Sequence, residues 1–461
     1  MSAPRRRASI VALTALVPLV AGCFSRPLKT EETGGSPFPP PQAPRPADTA
    51  AFEPIPTEAA PAGPVAGTGP FVRVALRVAR DTALLDGAGT WRLLSSDGGV
   101  LVRARAGEGW RIERRGAQLR AARGDGISTP WQSGPIRQFS DDDGFVRNGN
   151  KSYRGAITWV ATDSGVLAVN HVALEDYLRG VVPLEIGERT PGERAAVEAQ
   201  AIAARSYSVT RLIAALGGSS RSRDFEMVAS TGDQVYGGAT AERPVTDAAV
   251  AATAGLVLKV GQRVVNAPFY SACGGQTAAA EEVWRTGGEP HLRRVSDRIH
   301  GTDRFYCDIA PRFAWTRVYT GAELDAVVRR YLAGYAQVGA SGPGRVSDLV
   351  VDERTPSGRV GTLVVRTDRG SYRLRGNDSR SVLRTHGGEL LNSSYFSVTT
   401  ERANGRLVRA VIRGNGYGHG VGMCQWGAIG RARAGQDVRT ILRTYYPGTT
   451  VGPVPPGQLL P

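Results

Sequence analysis

Lysine is nearly absent from this chain: Lys29, Lys151 and Lys259 are the three among 57 basic residues, leaving 54 arginines. A genomic preference for arginine codons accounts for that skew. The formal net charge of +15 would equally suit an anionic partner such as nucleic acid, anionic lipid or an acidic glycan. Beyond Arg5-Arg6-Arg7 there is no basic block, no zinc-finger spacing and no basic motif interleaved with aromatics. That argues against nucleic acid. No run of 18 apolar residues occurs outside the extreme N-terminus, so the body carries no membrane-spanning helix. Cysteine is scarce, at four. What is present is a composition of 41% hydrophobic and 21% charged residues over 461 positions, ordinary for globular protein and enough for two or three domains. Glycine, at 58 residues, implies many turns and a strand-rich fold.

Residues 1–23 join a basic stretch to an apolar run, Ile10 to Val20, and end Val20-Ala21-Gly22-Cys23. An apolar run of that length reads as an export signal rather than a membrane span. The small residues before Cys23 resemble the lipobox of bacterial lipoproteins, in which the cysteine is acylated and begins the mature chain. The resemblance implies an exported, lipid-anchored protein of the cell envelope, at the outer membrane and periplasm if the host is diderm. Residues 24–69 hold ten prolines between Pro37 and Pro64 and read as a disordered tether.

From residue 70 to 157, short alternating runs such as Val72–Ala79 and Val100–Ala106, broken by Gly and Asp, predict a β-rich part. Trp91, Trp110 and Trp131 there read as core aromatics. Residues 158–450 form the main domain and 451–461 a tail. Ala156–Asn170 predicts a hairpin around Asp163-Ser164-Gly165, and Leu174–Gly187 a helical turn or two cut by Pro183. Pro191-Gly192 opens the clearest helix, Glu193 to about Ala215, with Val197, Ala201, Ala204 and Ser208 on one stripe. Gln200 and Arg205 border that stripe, within reach of a groove. Further helices are expected at Val245–Ala254, Leu324–Leu332, Ser379–Thr385, Cys424–Ala434 and Val438–Tyr446. Strands are expected at Leu256–Val260, Arg263–Ser271, Ser347–Val351, Gly361–Thr367, Ser371–Leu374 and Leu407–Arg413. The fold class is α+β.

The richest segment is Gly414–Gly422, with five glycines in nine residues around His419, followed by Met423-Cys424-Gln425-Trp426-Gly427-Ala428. Such glycine density lets backbone approach something closely. Its spacing is neither a dinucleotide fingerprint nor a phosphate-binding loop. Together with four further blocks, it resembles the SpoIID/LytB family of bacterial cell-wall proteins. These blocks are Asn170–Glu185 (NHVALEDYLRGVVPLE), Ala195–Tyr207, Phe269–Thr277 with Glu282-Val283-Trp284, and Ser379–Ser397. They occur in the family's order, across about Val72 to Gly448.

The resemblance implies a peptidoglycan lytic transglycosylase that cleaves between N-acetylmuramic acid and N-acetylglucosamine in strands lacking stem peptides, with Glu185 as its acid. Where the substrate's own hydroxyl attacks, one carboxyl serves as acid and then base, and a raised pKa suits it. The substrate-binding candidates are Gln200, Arg205, Asp233, Gln234, Tyr236, Ser271, His419 and Gln425. Asp233 would also serve as the second carboxylate if the enzyme is a conventional hydrolase. Glu198 stands where the family often has Lys. The same residues are compatible with a non-catalytic amidase enhancer, partnered with a cell-wall amidase, and with a wall-binding lipoprotein. With Cys23 lipidated, three cysteines remain, and two of them should pair in an exported protein. Cys273–Cys307 is the favoured disulfide, closing a loop of about 35 residues; pairings with Cys424 stay open. No cofactor is expected. A zinc cluster of Cys273, Cys424 and His419 would form only if the fold brings the two glycine loops together.

Overall fold

The computed structural model describes residues 30–33, 69–142, 144–217, 224–285, 287–385, 387–403 and 406–459. Cys23, the signal-like segment 1–23 and most of the tether lie outside the described residues. The architecture is α+β, as the patterns predict. Period-two alternation becomes strands whose alternate residues are buried, such as Trp91–Leu94, where Trp91 and Leu93 face the core. A seven-stranded sheet carries, side by side, Met227–Val228, Phe71–Ala79, Gly165–Ala173, Ala156–Thr162, Ile136–Ser140, Trp91–Leu94 and Val100–Ala104. A five-stranded sheet of residues 82–153 packs against it. The hairpin turns where expected, with Thr162 opposite Gly165. The boundary expected at residue 157 falls inside the strand Ala156–Thr162, and a single core runs from Val72 through Leu178 to Tyr446.

Among the described residues eight helices follow: α1 (Leu174–Glu185), α2 (Arg194–Gly217), α3 (Pro244–Ala252), α4 (Ala280–Val283), α5 (Gly321–Tyr331), α6 (Asp378–Val382), α7 (Gln425–Arg433) and α8 (Val438–Tyr445). Pro183 does not cut α1. It sits in the last turn, where the lost N–H bond costs little because the helix ends at Glu185, and Ile186 N–H closes it on Val182 O at 3.1 Å. The alanine-rich α2 packs against α1, α3, α7 and α8. Its slim side chains permit that approach from several sides, and they bury Gln200 and Arg205 as completely as the predicted stripe. The strand expected at Arg263–Ser271 is broken into Arg263–Val264 and Phe269–Tyr270, with Pro268 between them. Each half pairs elsewhere: Val264 with Lys259, Phe269 with Met423. Residues 450–453 close the Leu256–Val260 sheet.

A second core lies within residues 319–412, built from Leu324, Val328, Leu349, Leu363, Leu391, Phe396 and Ile412. Two sheets and helices α5 and α6 enclose it. This module is an insertion whose ends meet, since strands Ala314–Thr320 and Arg406–Asn415 are antiparallel with Ala314 opposite Asn415. Sequence periodicity does not mark the strands Ala314–Thr320 and Phe396–Ala403. The first is largely exposed and shows no apolar alternation; the second buries Thr400 where a hydrophobe would have signalled a core face.

Candidate active site around Glu185

Glu185 closes α1, partly buried, with Gly187 in the left-handed region (φ 77°) turning the chain away just beyond it. Its Oε1 accepts a hydrogen bond from Val235 N–H at 2.8 Å, and the Gln425 side chain donates to the same carboxylate. Burial raises its pKa above the ordinary carboxylate value, opposed by those two hydrogen bonds. The negative end of the α1 dipole adds to the same effect. Gln425, in the first turn of α7, donates its Nε2 to Gln200 Oε1 on α2 at 3.3 Å. The Gln200 Nε2 beside it is buried without a hydrogen-bond partner among the described residues. Three helices therefore deliver one acid and two amides to one place.

Other candidates support this place rather than line it. In the loop that delivers Val235, every predicted wall residue faces inward. Asp233 Oδ1 accepts from Tyr207 Oη and Arg211 Nη2, each at 2.6 Å, and its Oδ2 accepts from Val228 N–H at 2.9 Å. Gln234 Oε1 accepts from Tyr177 Oη and Ser208 Oγ, both at 3.1 Å, and Tyr236 Oη donates to Asn170 Oδ1 at 2.7 Å. With all three tied to the core, the backbone N–H between them is held against Glu185. Asp233 is thereby committed to the loop and is not presented as a second carboxylate.

Arg205 does not reach a groove. It is fully buried and paired with Glu175 through two 2.8 Å hydrogen bonds, joining α1 to α2. Ser271 is partly exposed, and its carbonyl accepts from Trp426 N–H at 3.0 Å. His419 stacks against Tyr270 and Trp284 at 5.0 and 5.3 Å. Its Nδ1 accepts from Val421 N–H at 3.1 Å, so the proton belongs on Nε2, 3.0 Å from Phe269 O. Burial holds its pKa down at about 4, with the Arg380 charge acting the same way. A neutral imidazole bonded this way braces the glycine turn.

That turn meets the Phe269–Thr277 loop directly. Ala272 and Tyr417 exchange backbone hydrogen bonds at 3.0 and 2.8 Å. Gly274 (φ 73°) and Gly416 (φ 78°) face each other there, and a Cβ on Gly274 would come within 2.8 Å of backbone at Asn415. The pair expected to form a disulfide does meet, but Cys273 and Cys307 are free thiols with sulfurs 3.2 Å apart, and Cys424 joins them.

Two residues near the acid are not among the predicted binding candidates, Arg189 lying outside every motif and Trp426 within the glycine-rich segment. The Arg189 guanidinium lies 5.0 Å over the Trp426 ring, and its Nε donates to Ile186 O at 2.6 Å. Both side chains remain partly exposed, close to Glu185 and Gln425 in the chain. An arginine four positions beyond the acid and a tryptophan beside the glutamine were the available signals. Two concavities elsewhere, one lined by Arg285, Gly334, Tyr335 and Asp378, the other by Phe71, Leu212, Glu226 and Leu459, do not include Glu185.

Two family models and several known proteins match this chain. The family model described as stage II sporulation protein (SpoIID) matches residues 162–259, and a domain of unknown function (DUF8618) matches residues 299–422. Stage II sporulation protein D of Bacillus subtilis is 30% identical over 62% of this chain and 76% of its own length. An uncharacterized protein of Brachyspira hyodysenteriae is 29% identical over 68% of this chain and 75% of its own. The amidase enhancer of Bacillus subtilis is 28% identical over 59% of this chain, which covers 40% of that protein. The chain belongs to the SpoIID/LytB family. The SpoIID match contains Glu185, Gln200 and the Asp233–Tyr236 loop; Gln425 lies beyond both matches.

Proposed function

We propose that this protein is an envelope-associated lytic transglycosylase of peptidoglycan, anchored through an acylated Cys23 and acting on glycan strands without stem peptides. Glu185 donates its proton to the oxygen linking N-acetylmuramic acid C1 to the next N-acetylglucosamine. As that bond breaks, the muramic acid C6 hydroxyl closes on C1, and the Glu185 carboxylate accepts its proton. The product is an anhydro sugar, and the acid returns to its starting state. The observation that carries this reading is the placement of one raised-pKa carboxyl between a backbone N–H and an amide side chain, with no second free carboxylate bonded to it among the described residues. Gln425 suits an acetamido group, with the buried Gln200 holding that amide from behind, and the Arg189–Trp426 pair suits a sugar face and its acidic substituent.

The decisive experiment incubates purified protein with stem-free glycan strands and separates the fragments by mass. Anhydro-ended fragments that disappear in Glu185→Gln support the proposal, and reducing ends overturn the cyclising step. The relative named amidase enhancer favours a second reading: a glycan-binding protein that stimulates a cell-wall amidase. Binding without new ends would establish that reading instead. Incorporation of labelled fatty acid, lost in Cys23→Ala, tests the anchor.

A further inference from the structure

We infer that Arg189 takes the free lactyl carboxylate of muramic acid and thereby selects sugars whose carboxylate carries no peptide. The inference rests on the glycan reading above and adds the group that enforces it. The guanidinium is fixed on two sides: its Nε donates to Ile186 O at 2.6 Å, and its Cζ lies 5.0 Å over the Trp426 ring. Trp426 is held in turn by its backbone N–H, which donates to Ser271 O at 3.0 Å, and by packing against the main core. Gly187, left-handed at φ 77°, lets the guanidinium fold back over the chain, since a Cβ there would stand 3.1 Å from Arg189 Nη2. The remaining edge, Nη1 and Nη2, makes no hydrogen bond and no ion pair among the described residues.

A cation placed this way is incomplete. Burial lowers its pKa from the ordinary arginine value; Glu193 opposes that shift and Arg433 adds to it. Glu193 is not free to pair with Arg189, because its Oε2 accepts from Thr190 N–H at 3.0 Å and its Oε1 from Arg433 Nε at 2.7 Å. Other arginines around α2 have carboxylates of their own, Arg194 with Glu198 and Arg205 with Glu175. The half-buried guanidinium beside the acid is the one left to an outside anion, and its two Nη atoms form a fork that matches the two oxygens of a carboxylate. Arg189 does not tune the acid itself. The groups acting on the Glu185 carboxyl are Val235 N–H and the Gln425 amide. An arginine apart from the carboxyl, on the same chain turn, fits one sugar held at two points: Glu185 at the oxygen on C1, Arg189 at the lactyl group on C3. A stem peptide turns that carboxylate into an amide, which removes its charge and leaves the fork unpaired. Losing one charged hydrogen-bonded pair weakens binding by about 10–100-fold.

The test reads binding rather than cleavage. Full-length protein carrying Glu185→Gln, to keep the ligand whole, is titrated by calorimetry with a stem-free tetrasaccharide of alternating N-acetylglucosamine and N-acetylmuramic acid. A second titration uses the same compound with its lactyl carboxyls converted to methylamides. The free acid should bind about tenfold tighter or more, and adding Arg189→Gln should bring the two compounds to within about twofold. Equal affinity before that substitution, or a preference that survives it, overturns the inference. If the double variant fails to fold, salt decides with the single variant. Raising sodium chloride from about 50 to about 500 mM should weaken the acid severalfold more than the methylamide, and equal weakening overturns the inference. Anhydro ends formed without this preference would leave the proposed cleavage standing and refute the role of Arg189; the preference without anhydro ends would do the reverse.

Discussion

The junction of α1, α2 and α7 and the inserted module of residues 314–412 are built on opposite plans. At the junction, polar side chains are taken fully or nearly fully out of water: Gln200, Arg205, Gln234 and Gln425 show 0%, 0%, 1% and 6% exposure. Each needs a partner there, so each fixes a neighbouring element. The module instead encloses Leu324, Leu349, Leu363, Leu391 and Ile412, and places ion pairs such as Arg373–Asp352 and Arg409–Glu401 at its surface. An apolar core gives stability and tolerates many packings; buried polar groups permit few and hold an acid in one geometry. The two regions meet where Arg359 of the module donates from Nη2 to Cys273 O at 3.1 Å and Gln276 O at 2.9 Å.

The contrast breaks most directly at the acid. Glu185→Gln should lower anhydro-product formation by about 10²–10⁴-fold. It should leave the fold intact, because the Gln amide oxygen still accepts from Val235 N–H. The stability sign is opposite to the activity sign. Burial raises the pKa of Glu185, so the folded chain favours the protonated carboxyl. That contribution is complete below the unfolded value of about 4.5 and is lost as pH rises through the folded value. At pH 8 the variant should therefore melt no lower than the parent. A marked drop in melting temperature would recast Glu185 as structural.

In the module, Leu324→Ala should cost about 3 kcal/mol by cavity formation, read from urea unfolding. Glycan cleavage by the folded protein at 25 °C should stay at the parental rate; a parallel loss of cleavage would erase the division of labour. Truncating the latch, Arg359→Ala, leaves two buried carbonyls without their donor and should cost about 2–3 kcal/mol. If the regions are cooperative, unfolding remains a single transition; separate transitions would show that Arg359 couples them. The smallest effect is expected for Gln425→Ala, about a tenfold loss of kcat, on the scale of one hydrogen bond to a charged group. Since that amide holds the Glu185 pKa down, its removal should move the alkaline limb of the activity profile to higher pH. An unmoved limb would detach Gln425 from the acid.

Periodic elements were legible because their signals are local. The Asp163-Ser164-Gly165 turn and the long alanine helix follow from alternation, turn chemistry and propensity over short windows. Gln200 and Arg205 misled for a related reason. A stripe drawn on one helix face presumes water on the other, and α2 has neighbours on several sides. Asp233, Gln234 and Tyr236 carry groups suited to sugar, yet their partners Tyr207, Tyr177 and Asn170 lie at least 26 residues away in the chain. The donor that reaches Glu185 from that loop is a backbone N–H, which has no signature in residue type. The module's separate core was equally hidden, because membership in one core or another is a property of packing.

The amino-acid order by itself determined most of the helices, the regularly alternating strands, and the glycine positions that allow two loops to touch. These depend on φ/ψ preferences and on contacts a few residues apart. Only the tertiary structure decided which polar groups turned inward, which carboxyl was left to titrate, and that Cys273, Asp297, Cys307 and Cys424 share one point in space. Desolvation and hydrogen bonding act through distance in three dimensions, and residues more than a hundred positions apart become neighbours only when the core closes around them.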